Sequence, residues 1–115
     1  MLHLGHIELF VHDPAQALTF YRDVLGFELT VIQADRFVWL KSGTVELLLR
    51  PAGNTTPAAR FEDAGQALVL YTDDLETTAA LLRQRGLDFK GTDGDGCLTF
   101  TDPDGHWFQL VNPAH

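Results

Sequence analysis

HIELFVHDPAQALTFYRDVLG, running from His6 to Gly26, is answered about sixty residues later by ALVLYTDDLETTAALLRQRG, from Ala67 to Gly86. Each stretch opens on alternating side chains, closes that run on Asp, continues at helical spacing and stops on Gly. In the first, Ile7, Leu9 and Val11 alternate with Glu8, Phe10 and His12, the period of a strand with two unlike faces. Asp13 is placed to cap a helix, with Pro14 suited to its first position and Gln16 to a capping box. Ala17, Leu18, Tyr21, Val24 and Leu25 then follow on one helix face, and Gly26 supplies a left-handed stop. In the second, Leu68 to Thr72 is the strand, Asp73 or Asp74 the cap, and Leu75, Ala79 and Leu82 the helix face before Gly86. Duplication at this period means two copies of one supersecondary unit.

Working outward, Phe27 to Ile32, Phe37 to Leu40 and Val45 to Leu49 read as strands after the first helix. Leu87 to Lys90, Cys97 to Phe100 and Trp107 to Val111 answer them after the second. Ser42-Gly43 and Asp102-Pro103-Asp104-Gly105 supply tight turns between the last two strands of each copy. Pro51 to Gln66 has no apolar period and reads as a linker. The expected organisation is one α+β domain over residues 1–115, built of two strand-helix-three-strand (βαβββ) modules forming a cleft. Module one covers about 1–50, the linker about 51–66 and module two about 67–115. Each unit buries one sheet face under its helix and leaves the other open.

Composition limits the function classes. The 115 residues are 45% hydrophobic and 21% charged, which is ordinary globular composition and enough chain for a core without staples. A formal net charge of −8 argues against a surface that tracks nucleic-acid phosphates, since that requires clustered Lys and Arg. Met1 to Phe10 lacks the pattern of a secretory signal, and no run approaches the roughly 20 apolar residues of a membrane helix. A soluble cytoplasmic protein with no nucleic-acid or membrane partner is expected. The single cysteine, Cys97, has no partner for an internal disulfide and reads as a small core hydrophobe. There is no phosphate-cradling Gly-rich loop, nucleophile elbow or metal-binding cysteine pair.

The runs His6-Ile-Glu-Leu-Phe-Val-His-Asp13, Phe20-Tyr-Arg-Asp-Val-Leu-Gly-Phe27 and Asp102-Pro-Asp-Gly-His-Trp-Phe-Gln109 resemble those of the vicinal oxygen chelate superfamily. That superfamily contains glyoxalase I, extradiol dioxygenases, fosfomycin-resistance enzymes and bleomycin-resistance proteins. The resemblance covers nearly the whole chain. It implies paired βαβββ modules, commonly assembled as a homodimer, with a small-molecule ligand on the concave sheet face. In the superfamily's enzymes a divalent metal is held from the first and last strands of each unit. Carried over residue by residue, those positions fall on His6, Glu46, Ala67 and Gln109. Alanine offers no donor and the Gln amide is a weak neutral one, so the implied metal site (His6, Glu46, Gln109) is degenerate. Gln66 replaces Ala67 only if the strand shifts by one residue, which turns its neighbours to opposite faces.

Strand alternation gives the open face independently. With His6 on it stand Glu8 and Phe10, then Glu46, Leu48 and Arg50, then Ala67, Val69 and Tyr71, and last Trp107, Gln109 and Val111. Aromatic walls with sparse polar groups suit a small-molecule pocket. Plainer readings stand beside each. Glu46 and Arg50 can pair with strand neighbours, His6 can be satisfied by Glu8 or Glu46, and Tyr71 and Trp107 can be core or interface aromatics. His106 is expected to be exposed in its turn, and the sequence does not assign Trp39 to a face.

The expected function is therefore a bleomycin-resistance-like protein that sequesters a small molecule in a dimeric cleft. Glu8, Phe10, Leu48, Arg50, Tyr71 and Trp107 are its ligand contacts, and no cofactor is expected. The alternative is a divalent-metal-dependent lyase, isomerase or dioxygenase resembling glyoxalase I. It would use Zn, Ni, Mn or Fe on His6, Glu46 and Gln109, with Glu46 as catalytic base. A purely structural or partner-binding module is the third reading.

Overall fold

The structure is a computed structural model that describes residues 1–53 and 56–114. The chain divides into two compact units, Met1–Thr55 and Thr56–His115.

In the first unit the order is β1 (Ile7–Val11), α1 (Pro14–Thr19), a π-helical turn (Phe20–Val24), β2 (Glu28–Gln33), β3 (Phe37–Ser42) and β4 (Val45–Pro51). The sheet order is β1-β4-β3-β2. β1 runs parallel to β4 with Ile7 abreast of Leu47 and Leu9 of Leu49, and β3 is antiparallel to both β4 and β2. Parallel neighbours need a crossover, and the helix with the β2–β3 hairpin supplies it. Leu9, Val11, Val38, Leu40, Leu47 and Leu49 fill the covered side of the sheet with Ala17, Leu18 and Tyr21 from the helical segment. α1 lies over β3 and β4. Burying one such Leu contributes about 1.5–3 kcal/mol, and truncating it to Ala costs about 2–5 because the void does not close.

The first helix starts as expected. The Asp13 carboxylate accepts from the N–H groups of Ala15 (3.0 Å) and Gln16 (3.5 Å), and Pro14 is the first helical residue. It does not continue regularly to Gly26. After Thr19 the ladder widens, with Leu25 N–H donating to Phe20 O at 3.1 Å and Phe27 N–H to Tyr21 O at 2.9 Å. The latter bond spans one residue more than a Schellman ending. The widened turn keeps Tyr21 at 0% exposure and Phe27 at 8%.

The second unit contains a 3-10 turn (Phe61–Asp63), β5 (Leu68–Tyr71), α2 (Leu75–Gln84), β6 (Thr99–Thr101) and β7 (Trp107–Val111). The sheet order is β5-β7-β6, with β5 parallel and β6 antiparallel to β7. Asp74 is the cap, accepting from Thr77 N–H at 3.0 Å and from its hydroxyl at 2.8 Å. α2 ends in a regular Schellman motif: Leu87 N–H reaches Leu82 O and Gly86 N–H reaches Arg83 O, both at 3.0 Å, with Gly86 at φ 98°. Phe100 and Phe108 stack at 5.0 Å on the buried side with Leu110.

One expected element differs. Leu87 to Lys90 does not join the ladder as a strand. It is held by Lys90 N–H to Thr99 O (2.7 Å), Thr99 N–H to Gly91 O (3.0 Å) and an isolated bridge between Thr92 and Leu98. Asp93 diverts the chain: its carboxylate accepts from the N–H groups of Asp95 (2.8 Å) and Cys97 (3.1 Å), folding a local loop where cross-strand bonds would otherwise form. The chain is mixed α+β, with two small sheets and two α-helices among the described residues.

Candidate functional site

The open face of the first sheet carries a linked set of side chains. Register places Glu8 abreast of Leu48 and Phe10 abreast of Arg50, with Trp39 across from Leu48 on the other side. Arg50 Nε donates to Glu8 Oε1 at 2.6 Å, and His6 Nε2 lies 2.9 Å from Glu8 Oε2. Arg50 foremost, and His6 after it, hold the Glu8 carboxyl below its ordinary value. The His6 ring meets Trp39 edge-on at 4.7 Å, and the Trp39 indole N–H donates to Gln33 Oε1 at 2.8 Å. The Arg50 guanidinium lies 5.2 Å from the centre of the Phe37 ring. Phe10 and Val31 stand open at 47% and 45% exposure.

Glu46 is also exposed, and the parallel register that begins at Ile7–Leu47 carries His6 abreast of it. Glu46 has Lys41 as its cross-strand neighbour, although the Lys41 ammonium lies toward Glu28 at 3.8 Å. Leu48 sits on this face but is 3% exposed. It is a floor beneath the polar set and offers a ligand almost no surface.

On the second sheet, Val69, Tyr71, Gln109 and Val111 share the open face, as alternation requires. Tyr71 is 73% exposed. The Gln109 amide donates to the Asp93 carboxylate. Ala67 precedes β5 and carries no donor, so the second unit lacks a counterpart to His6 at that position. Trp107 is covered at 5% exposure, with its indole N–H on Ala58 O at 2.9 Å and its ring edge-to-face with Phe61 at 5.9 Å. The segment expected to be only a linker is thus packed onto the sheet from Ala58 to Phe61.

His106 departs from the exposed position expected of it. Its Nδ1 lies 2.7 Å from Asp102 Oδ2, while Asp102 Oδ1 accepts from the N–H groups of Asp104 (3.0 Å) and His106 (2.8 Å). Asp102 is 2% exposed and locks the turn. Its carboxylate holds the imidazole pKa above the ordinary histidine value, against the opposing effect of burial. The i,i+4 spacing of Asp and His across a Pro-Asp-Gly turn was the available signal for this pair. Trp39 had no comparable signal, because Phe37-Val38-Trp39-Leu40 is apolar at every position and reveals no face.

A resident divalent ion asks for several anionic or imidazole donors converging on one point. Among the described residues no three His, Cys, Asp or Glu side chains cluster in that way. His6 Nε2 is directed at Glu8, Glu8 is neutralised by Arg50, and Gln109 is turned to Asp93. This donor set does not fit the metal of the superfamily's enzymes.

Residues 3–110 match the model of the Glyoxalase/Bleomycin resistance protein/Dioxygenase superfamily, and the chain belongs to that superfamily. Among solved structures, it resembles TnmS3, an antibiotic binding protein from Streptomyces sp. CB03234, at 26% identity and a TM-score of 0.71, covering 98% of this chain and 99% of that one. A lactoylglutathione lyase from Agrobacterium tumefaciens (22% identity, TM-score 0.71, 96% and 93% covered) shares the fold. So does the fosfomycin resistance protein FosX from Mesorhizobium loti (16%, TM-score 0.72, 96% and 90%). Among the described residues no helix is long and apolar enough to cross a membrane.

Proposed function

We propose that this chain binds and sequesters a small aromatic molecule without a metal, working as a homodimer in the cytoplasm. The observation that carries the reading is the pinning of Glu8 between Arg50 and His6 amid Phe10, Phe37 and Trp39. Two of the three groups that would have to turn toward a metal are committed elsewhere, His6 to Glu8 and Gln109 to Asp93, and the Phe10 ring beside Glu8 is open. Phe10 supplies flat apolar contact on the first sheet, and Glu46 favours a ligand with a positive charge. The similarity to an antibiotic binding protein supports a small-molecule ligand.

The test is titration with a panel of planar aromatic cations and their neutral counterparts in excess EDTA, followed by tryptophan fluorescence. Saturable binding that Phe10→Ala weakens about tenfold supports the reading, a loss in keeping with an aromatic anchor. Binding that appears only after Mn, Ni, Zn or Fe is added overturns it.

The alignment of His6 with Glu46 on one open face favours a second reading, a metal-dependent lyase, isomerase or dioxygenase with Glu46 as base. It requires near-stoichiometric divalent metal in protein purified without chelator, lost in His6→Ala.

A further inference from the structure

The second unit contains a pocket of about 440 Å³ at the start of β7. Its wall includes Pro57, Asp63, Gln66 and Leu68 from the segment leading into β5, and His106 and Trp107 from the start of β7. The volume falls within the range of small-ligand sites. Its shape is set by close packing, because a Cβ added to Gly105 would stand 2.2 Å from Pro57 Cβ. The chain from Pro57 to Ala58 is pressed onto the turn and fastened by the Trp107 indole.

The polar groups around this pocket differ in what they have left to offer. Asp102 is consumed by the Asp104 and His106 N–H groups and by His106 Nδ1. Asp63 is engaged by Arg60 Nε at 2.9 Å. His106 Nε2 makes no bond among the described residues, and none of their unpartnered side-chain nitrogens or oxygens is sealed from solvent, so Nε2 is accessible. The Gln66 amide is likewise exposed and unbonded among the described residues. With Nδ1–H committed to Asp102, protonation makes Nε2 a charged donor beside the neutral Gln66 donor. Trp107, Pro57 and Leu68 supply apolar wall.

We propose that this pocket is a second ligand site, built at the Trp107 end of β7, that takes a small carboxylic acid with a flat apolar body. One carboxylate oxygen accepts from His106 Nε2–H and the other from the Gln66 amide, while the body lies against Trp107 and Pro57. Three carboxylates face or adjoin His106, namely Asp102, Asp104 and Asp63. The first is hydrogen-bonded to it, the second favours its protonated form, and the third is held by Arg60. Binding is therefore strongest where the ligand is ionised and His106 still protonated, and it weakens as His106 loses its proton.

Benzoate, benzamide and benzylammonium serve as probes of matched size, with inorganic phosphate as an anion lacking the apolar body. Each is titrated into the full chain at pH 6 and pH 8.5 while the two indole N–H signals, assigned with Trp39→Phe, are followed by NMR. The expected result is a saturable shift of the Trp107 signal with benzoate and binding about fivefold tighter than benzamide at pH 6. That is the weight of exchanging a neutral hydrogen bond for a charge-assisted one. The advantage should largely disappear at pH 8.5. Because His106 variants disturb the turn, the second readout uses the unaltered protein: saturating benzoate must raise the His106 titration midpoint. Equal affinity for benzoate and benzamide, a preference for benzylammonium, phosphate binding as well as benzoate, shifts at Trp39 instead of Trp107, or an unmoved His106 midpoint would each overturn the proposal.

Discussion

Glu8 Oε1 lies 2.6 Å from Arg50 Nε while its other oxygen, Oε2, lies 2.9 Å from His6 Nε2, so one carboxylate joins the edge strand β1 to its neighbour β4 and orients the histidine against Trp39. Because Arg50 is the larger influence on Glu8, Arg50→Met should raise the Glu8 midpoint toward 4.5, read by carbon NMR of the side chain. A depressed carboxyl contributes stability that is present above its unfolded pKa and lost as pH falls through its folded one. The variant should therefore lose stability relative to the parent near neutral pH and converge with it in acid. An unchanged Glu8 midpoint would show that the Arg50 bond is not formed in solution.

His106 has the opposite sign. Its folded pKa is raised by Asp102, so its contribution is fully present below the unfolded value near 6.5 and is lost as pH rises through the folded value. Urea midpoints measured from pH 5.5 to 8.5 should decline over this window, and His106→Phe should flatten the decline. Asp102→Ala should cost about 2–4 kcal/mol, since it strips a buried acceptor from several donors at once.

Gly105→Ala should destabilise by about 2–4 kcal/mol, combining strain at φ 88° with the collision on Pro57. Pro57→Gly removes the obstructing ring and should recover part of that loss. A double-mutant cycle by chemical denaturation measures the coupling, and strict additivity would mean that Pro57 does not lie on the turn.

Trp107→Phe keeps a ring but removes the indole donor to Ala58 O, a bond worth about 1 kcal/mol. Beyond that loss, limited proteolysis should become faster at Arg60, because this bond and the nearby Phe61 ring contact help fasten the segment. Unchanged cleavage there would mean that other contacts retain the segment.

Ala34 and Asp35 adopt φ 52° and 54° in the β2–β3 turn, a region that L side chains occupy at a cost. Ala34→Gly should stabilise the protein by about 0.5–1 kcal/mol, the strain relieved less the extra freedom of the unfolded chain. Thermal denaturation checks it.

How much of this was legible in the sequence depended on whether neighbouring residues differed in kind. β1 and β7 each carry a single polar residue that marks a face, so Leu9 and Val11 were separable from Glu8, and Phe108 and Leu110 from Gln109. The Asp caps and terminal Gly residues gave the helix ends because their chemistry is local. Leu47-Leu48-Leu49 and Phe37 to Leu40 gave no contrast, which hid both the covered state of Leu48 and the face of Trp39. The pocket was invisible for another reason. It depends on the backbone of an unpatterned segment meeting a turn some fifty residues away, and no periodicity reports such a meeting. The Asp93 loop in place of a strand likewise came from a side chain competing for backbone donors.

The widened turn at Phe20–Val24 explains a numerical mismatch between the two copies. Gly26 lies thirteen residues after its cap Asp13, whereas Gly86 lies twelve after Asp74. The first copy carries one surplus amino acid, and the helix absorbs it as a local swelling instead of passing it on to the strands. Any attempt to swap these helices between copies, or to build a symmetric version of this chain, has to excise one residue there, with exposed Asp23 the natural choice, before the flanking strands come into phase.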